Sequence, residues 1–217
     1  MELFNQIRSS PPPLTAEADV RLWTPNTKGL FSVKSVYDYI THAQPVEFPK
    51  AFIWNKHIPL KVNFFVWTAY HNRILTIDNL KKRGFILPNC CYLCGRNEET
   101  VAHIMLHCSF TSKVWNLLLP RTGWTWVPPP SVAALSFSWS FKGPRGPGKD
   151  IWPFIPPALF WSIWLERNRR AFNNKELSSF QVSVEIKSLL KFWGSVAFAD
   201  FRYDLSQLIF SWDSIFS

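Results

Sequence analysis

The sequence predicts a mainly α-helical protein of the small α+β class, with one short β-hairpin near the N-terminus. Two observations favour helices. Apolar residues recur at helical spacing in several stretches, and a proline or a hydroxyl side chain stands where many of these stretches begin. A third observation favours the hairpin, because bulky apolar residues flank a turn-forming cluster at residues 25–29.

The first elements are placed by turn and cap residues. Two short strands are expected within residues 21–33, joined by a turn from Pro25 to Gly29. Ser32 has the side chain of a helix cap and precedes an apolar periodicity over residues 33–40. We therefore expect the hairpin to lead directly into a helix.

Helices are also predicted on both sides of the cysteines. Pro59 suits the first turn of a helix over residues 60–74, and Thr76 suits the cap of a short helix over residues 77–83. Apolar spacing then predicts further helices over residues 110–119, 159–172 and 180–198.

Proline clusters divide the chain into expected packing units, because proline-rich stretches form stiff joints. A leader is expected over residues 1–20 and the main domain over residues 21–120. A Pro-, Gly- and Trp-rich linker is expected over residues 121–150, followed by a helical C-terminal segment over residues 151–217.

The chain is basic, with 24 lysines and arginines against 15 acidic residues and a formal net charge of +9. The surplus is concentrated in residues 50–83, where Asp78 is the only acidic residue. A basic surface of this kind suits a polyanion such as RNA or DNA, and the alternative is a solvated face without a ligand. The residues predicted to contact nucleic acid are Arg73, Lys81, Lys82 and Arg83.

We expect an intracellular protein, nuclear or cytoplasmic, because the N-terminus lacks the apolar stretch of a secretion signal. The most apolar stretch, residues 151–165, is shorter than the roughly 20 residues that span a bilayer, so it predicts a buried helix and no membrane anchor. Cysteines of an intracellular protein stay reduced, which favours metal binding over disulfides.

All four cysteines lie within one short segment. Cys91 and Cys94 form a C-x2-C pair followed by Gly95, a zinc-knuckle arrangement in which two thiolates converge on one ion. With His103 and Cys108 they are expected to bind one tetrahedral Zn²⁺. Four protein ligands leave no open position for a water, so the predicted zinc is structural. It would stabilise the helical domain that precedes the C-terminal segment.

Two neighbouring residues keep the ligand set open. His107 stands four residues after His103 and shares its helical face, which gives a Cys2His2 alternative. Cys90 is an alternative to Cys91, although its C-x3-C spacing suits the knuckle turn less well. A third alternative is a set of reduced, buried cysteines without a metal.

No catalytic constellation is found in the sequence. It has no phosphate-binding loop, no dinucleotide-binding glycine motif and no H-x-E pair of a zinc deaminase. Glu98 and Glu99 are the only adjacent acidic residues, and we interpret them as the favourable start of the helix that carries His103. The sequence therefore predicts a protein that is not an enzyme.

Several motifs, in this order, resemble the zinc-binding region of plant LINE-type retrotransposon reverse transcriptases. They are W-x5-G-x-FSVKSVY from Trp23, the stretch from Ile53 to Gly84 that contains KVNFFVW and HNRILT, and C-x2-C-G followed by E-x3-H-x4-C. The resemblance implies a domain with one structural zinc ion. Its implied ligands are Cys91, Cys94, His103 and Cys108.

In that family the region follows the polymerase and is thought to handle template RNA or target DNA. The resemblance therefore implies RNA or DNA as a partner, together with other parts of a retrotransposon polyprotein. The polymerase, endonuclease and ribonuclease H motifs are missing here. Our hypothesis is a non-catalytic zinc module with residual nucleic-acid binding, and the alternative is a protein-interaction or structural remnant. Phe85 and Tyr92 are candidates for base stacking, although the pattern around them favours core packing.

Overall fold

The computed structural model of the chain describes residue 9 and residues 21–41, 48–120, 126–141, 143 and 147–216. These residues are mainly helical. The chain divides into two compact units, residues 1–48 and 49–217. The domain boundaries that we placed at residues 120 and 150 fall inside the second unit. Except for Ser9, the leader over residues 1–20 lies outside the described residues.

The predicted β-hairpin is wrong, because the described residues contain no strand. The chain does turn back here: the Trp23 amide donates to the Gly29 carbonyl over 2.9 Å, and Gly29 takes a left-handed φ of 68°. The next carbonyl, that of Leu30, accepts from the side-chain amide of Asn26 over 3.0 Å. Backbone groups that would form the hydrogen bonds of a β-ladder are therefore already bonded within a local turn.

The first unit then continues into helix α1, Val33–Thr41. Ser32 caps it as predicted, since its Oγ accepts from the Ser35 amide over 3.1 Å. The Ser32 amide donates in return to Oγ of Ser35 over 3.1 Å. This reciprocal pair satisfies two amides at the start of the helix.

The second unit contains eight α-helices among its described residues. They are α2 (Lys50–Ile53), α3 (Leu60–Tyr70), α4 (Ile77–Lys82), α5 (Ser109–Leu118), α6 (Val132–Phe141), α7 (Ile155–Asn173), α8 (Ser179–Ala197) and α9 (Leu205–Phe210). A π turn spans His103–His107, and 3-10 turns span Pro147–Asp150, Trp152–Phe154 and Asp213–Phe216. Helix α3 ends before its predicted limit because Asn72 takes a left-handed φ of 56°.

Helices α7 and α8 form a hairpin against which α3 and α5 pack. Asn174 ends α7 in a left-handed conformation, and Ser178 opens α8 with a capping box that includes Gln181. The facing sides are apolar: Leu159 of α7 and Ile186 of α8 have no exposed surface. These two helices, which the apolar spacing predicted, form the largest part of the core.

Tryptophans join the predicted linker to the core. Trp139 of α6 stacks on Trp152 with ring centroids 4.1 Å apart, and it lies 5.6 Å from Trp115 of α5. Trp126 in turn stacks on Trp115, with ring centroids 5.0 Å apart. Residues 121–150 therefore contribute a helix and two buried or half-buried indoles to the second unit.

The apolar stretch at residues 151–165 lies largely inside the second unit, as predicted. Ile151, Ile155 and Phe160 have no exposed surface. No helix of the described residues is long and apolar enough to cross a membrane.

Lys187 of α8 is a lysine that is buried in the second unit. Only 6% of the residue is exposed, and its Nζ lies 4.7 Å from the centroid of the Trp212 ring and 3.5 Å from the Ile209 carbonyl oxygen. Burial lowers the pKa of Lys187 from 10.5 to about 8, and the charge of Asp213 opposes this shift. The charged ammonium therefore costs stability at neutral pH.

Lys187→Met is expected to raise the free energy of unfolding by about 1 to 3 kcal/mol at pH 7, because methionine removes the buried charge and keeps an apolar stem. In the wild type the native lysine loses its proton near pH 8, while the unfolded lysine holds it to 10.5. The wild type therefore gains stability as the pH rises through this window.

Urea unfolding of both proteins at pH 7 and pH 9.5 measures this effect. The stability difference between Lys187→Met and the wild type should shrink at the higher pH. A difference of the same size at both pH values would show that charge burial is not its cause.

Candidate metal centre

Four side chains converge in the second unit to form a Cys–His cluster of Cys91, Cys94, His103 and Cys108. Their ligand atoms all lie within 4.8 Å of one another. The Sγ atoms of Cys91 and Cys108 are 4.0 Å apart, and Sγ of Cys94 lies 3.4 Å from Nε2 of His103. Cys91 and Cys108 have no exposed surface, whereas Cys94 is half-buried.

The knuckle loop, residues 91–97, places the first two sulfurs. The Cys91 amide donates to the Asn97 carbonyl and the Gly95 amide donates to the Cys91 carbonyl, each over 2.8 Å. Gly95 has a φ of 63°, a left-handed conformation that glycine adopts without steric cost. The loop therefore closes tightly and brings the sulfurs of Cys91 and Cys94 into one cluster.

The π turn places the other two ligands. The Cys108 amide donates to the His103 carbonyl over 2.6 Å, which closes a turn over five residues. Cys108 is also the N-cap of α5, and the amides of Phe110 and Thr111 in the first turn of this helix lower the pKa of its thiol. Free amides at a helix N-terminus favour a thiolate.

Hydrogen bonds within the cluster shift the pKa values of its cysteines in opposite directions. The bond with Cys91, together with His103 and two amides of α5, lowers the pKa of Cys108 to about 4 against the effect of burial. The same bond and burial raise the pKa of Cys91. Burial opposes ionisation of Cys94, yet amides of the knuckle loop hold its pKa below the usual value.

The pKa of His103 is raised above that of a free imidazole. Its hydrogen bond with Cys108 raises its pKa, burial opposes this shift, and a bond with Cys94 adds to it. Cys91 and His103 therefore hold their protons more strongly than free side chains do. A metal ion displaces these protons when it binds, because zinc takes thiolate and neutral imidazole ligands.

The cluster fits Zn²⁺. Tetrahedral bonds of about 2.3 Å to sulfur and 2.0 Å to nitrogen place neighbouring ligand atoms roughly 3.5 to 3.8 Å apart. The contacts of 4.0 and 3.4 Å are close to these values. Three thiolates and an imidazole suit zinc and not a hard cation such as Mg²⁺. Four protein ligands fill the tetrahedron, as in structural zinc sites.

The two alternative ligands lie outside the cluster. Cys90 is exposed, whereas Cys91 beside it is completely buried. His107 is exposed because the π turn brings the following residue, Cys108, beside His103. The structure thus brings together the four residues that the C-x2-C spacing favours.

Glu99 has a different role from the one we predicted. Its carboxylate does not open the turn that carries His103, where Oγ1 of Thr100 accepts from the His103 amide over 3.1 Å. Glu99 is completely buried and pairs with Arg167 of α7, whose Nη2 and Nε lie 2.7 and 3.1 Å from Oε1. The same oxygen accepts from the Ile77 amide over 3.1 Å. One carboxylate therefore joins α4, α7 and the segment between the ligands.

The four basic residues predicted to contact nucleic acid are all exposed, and three of them are consecutive at the end of α4. Lys82 among them pairs with Asp78 over 2.9 Å. Exposure continues without a break over residues 81–88 and ends three residues before the knuckle loop begins at Cys91. Phe85 and Tyr92, for which we favoured core packing, are 56% and 47% exposed.

Residues 31–115 match the family model for zinc-binding in reverse transcriptase. A putative ribonuclease H protein of Arabidopsis thaliana is 24% identical over 158 residues, which make up 70% of this chain and 25% of that protein. The chain thus spans about a quarter of this relative's length. No solved structure gives a significant match. The matched range contains the whole Cys–His cluster, so residues 31–115 are similar to the zinc-binding domains of reverse transcriptases in the part that holds the predicted ligands.

Proposed function

We propose that the chain is a non-catalytic module of retrotransposon origin that binds single-stranded RNA or DNA beside a structural zinc ion. The ligands of this ion are Cys91, Cys94, His103 and Cys108. The observation that carries the proposal is the Cys–His cluster, which lies next to an exposed basic and aromatic segment. A site of this kind requires reduced cysteines, which favours an intracellular location.

The zinc ion has a structural role in this proposal. Ligands from the knuckle loop and from the π turn surround it, and no position is open for a substrate or a water. Zinc binding in small structural sites is worth on the order of 10 to 16 kcal/mol at neutral pH, which is comparable to the stability of a whole domain. The fold around the cluster therefore depends on the metal.

The purified full-length chain is expected to contain one zinc ion per molecule, and Cys94→Ser is expected to lose it. Metal analysis by mass spectrometry measures the ratio. Cys90→Ser and His107→Ala are matched controls, since both residues are exposed and lie outside the cluster. Loss of zinc in either control, or retention in Cys94→Ser, would refute the ligand assignment.

The basic–aromatic segment, residues 81–92, has the chemistry of a single-strand binding surface. Its lysines and arginine offer charges to phosphates, and the exposed rings of Phe85 and Tyr92 offer faces on which bases stack. Bases are free to stack on a protein ring in a single strand and are hidden in a duplex. The segment therefore favours single-stranded nucleic acid.

Both ends of the basic–aromatic segment are fixed. At one end the Phe85 amide donates to the Leu80 carbonyl of α4 over 3.2 Å, and Gly84 takes a φ of 91°. At the other end Cys91 is a proposed zinc ligand. Ordering a segment before it binds reduces the entropic cost of binding, so the zinc ion supports the nucleic-acid surface.

Charge reversal of Lys81, Lys82 and Arg83 to glutamate is expected to weaken binding of a labelled 20-nucleotide single strand at least tenfold at low salt. It should also lower the slope of log Kd against log salt concentration by about 2, since each lost phosphate contact lowers this slope by roughly 0.7. Fluorescence anisotropy over a salt series, with RNA and with DNA, measures both quantities.

A control with the same change in net charge replaces three other exposed lysines, Lys113, Lys149 and Lys175, with glutamate. This control should keep most of the affinity. Equal weakening by the two triple variants would mean that net charge alone attracts the nucleic acid. Absence of binding by the wild type would remove the nucleic-acid function and leave the zinc module.

A second candidate function is protein interaction through the first unit. Large apolar side chains there are 61 to 80% exposed, namely Leu22, Leu30, Phe31, Val33, Tyr37, Tyr39 and Ile40. Exposed apolar surface of this kind favours a protein contact. The anisotropy experiment separates the two functions, because protein interaction alone predicts no nucleic-acid binding by the wild type.

A further inference from the structure

Helix α7, which lies outside the matched family range, contacts the knuckle loop directly. Nη1 of Arg170 donates to the carbonyl oxygen of Leu93 over 3.0 Å. Leu93 stands between the two ligands Cys91 and Cys94, so this hydrogen bond holds the backbone that carries both sulfurs. The partners are 77 residues apart in sequence.

Arg170 is itself held in place by several groups. Its Nε donates to Oε1 of the buried Glu166 over 2.7 Å, and its Nη2 donates to the Leu177 carbonyl over 3.0 Å. The guanidinium lies 4.5 Å from the ring centroid of Phe110, two residues after the ligand Cys108. One arginine therefore contacts the backbone of the knuckle loop and the side chain of a residue that follows the last ligand.

A second arginine of α7, Arg167, lies one turn earlier on the same helix. Its Nε and Nη2 donate to the carboxylate of Glu99, and its guanidinium lies 4.9 Å from the ring centroid of Tyr92. Tyr92 belongs to the knuckle loop, and its amide lies 3.5 Å from Oε2 of Glu99. Both arginines thus act on the loop that supplies the first two ligands.

We infer that Arg170 and Arg167 are positioning residues of the zinc site, so that zinc affinity depends on α7. The inference rests on the proposed zinc ligands. Groups that fix the orientation of metal ligands contribute strongly to metal affinity, because a preordered site does not have to be assembled when the ion arrives. The functional zinc domain therefore extends beyond residue 115, where the family match ends.

Arg170→Met tests the inference in the full-length chain. We expect zinc affinity to fall 10- to 100-fold, the usual effect of removing a group that orients metal ligands. Affinity is measured by competition with a chromogenic chelator, and circular dichroism of the zinc-saturated proteins checks that each variant is folded. Arg169→Met is the matched control: Arg169 contacts Glu166 and Glu185 at 2.7 and 3.3 Å and bonds to no residue of the knuckle loop.

A stability control completes the experiment, because Arg170→Met also weakens the packing of α7. Ile186→Ala removes buried side-chain volume from α8, away from the cluster residues in sequence. Folded Arg170→Met with wild-type zinc affinity overturns the inference, and so does equal loss of affinity in Arg170→Met and Ile186→Ala. A wild-type chain that binds no zinc overturns the proposed function itself, which distinguishes the two failures.

Discussion

Glu99 carries a carboxylate with no exposed surface, and the arrangement of the surrounding helices follows from the need to neutralise it. A buried carboxylate is costly unless a cation and additional donors satisfy it. Arg167 supplies the cation, and the first amide of α4 supplies a further donor. Helix α7 therefore has to pack where Arg167 reaches Glu99, and this requirement fixes α7 against the segment that carries the metal ligands.

The position of Glu99 in the sequence gives this ion pair its importance. Cys91 and Cys94 precede it, and His103 and Cys108 follow it, so the residue held by α7 lies in the middle of the ligand segment. Removing Arg167 would leave an unpaired buried charge, a change that costs roughly 3 to 5 kcal/mol in other proteins. The inferred dependence of zinc affinity on α7 implies that zinc in turn stabilises α7, because coupling between two sites is reciprocal.

Local pattern was sufficient to predict much of this structure. The C-x2-C pair, Gly95 and the later His103 and Cys108 identify the cluster because ligand spacing is a local property of the chain. Helices α3, α4, α5, α7 and α8 follow from apolar periodicity and cap residues, which are also local. The choice of Cys108 over His107 needed more, since it depends on a π turn that apolar spacing does not indicate.

The rest could not be predicted, because it depends on contacts between distant residues. The Glu99–Arg167 pair spans 68 positions, and spacing alone made Glu99 resemble the start of a helix. Helix α6 has apolar residues on all sides, so its sequence shows no period. The hairpin prediction failed for a local reason. The side-chain amide of Asn26 donates to the Leu30 carbonyl, which would otherwise bond to the opposite strand.

Hydrogen–deuterium exchange of the full-length chain, with zinc and after chelation, tests most directly whether the cluster and α7 form one cooperative unit. We predict that residues 91–108 and residues 155–173 lose protection together when the metal is removed. Loss of protection confined to the ligand segment, with α7 still protected, would contradict this account.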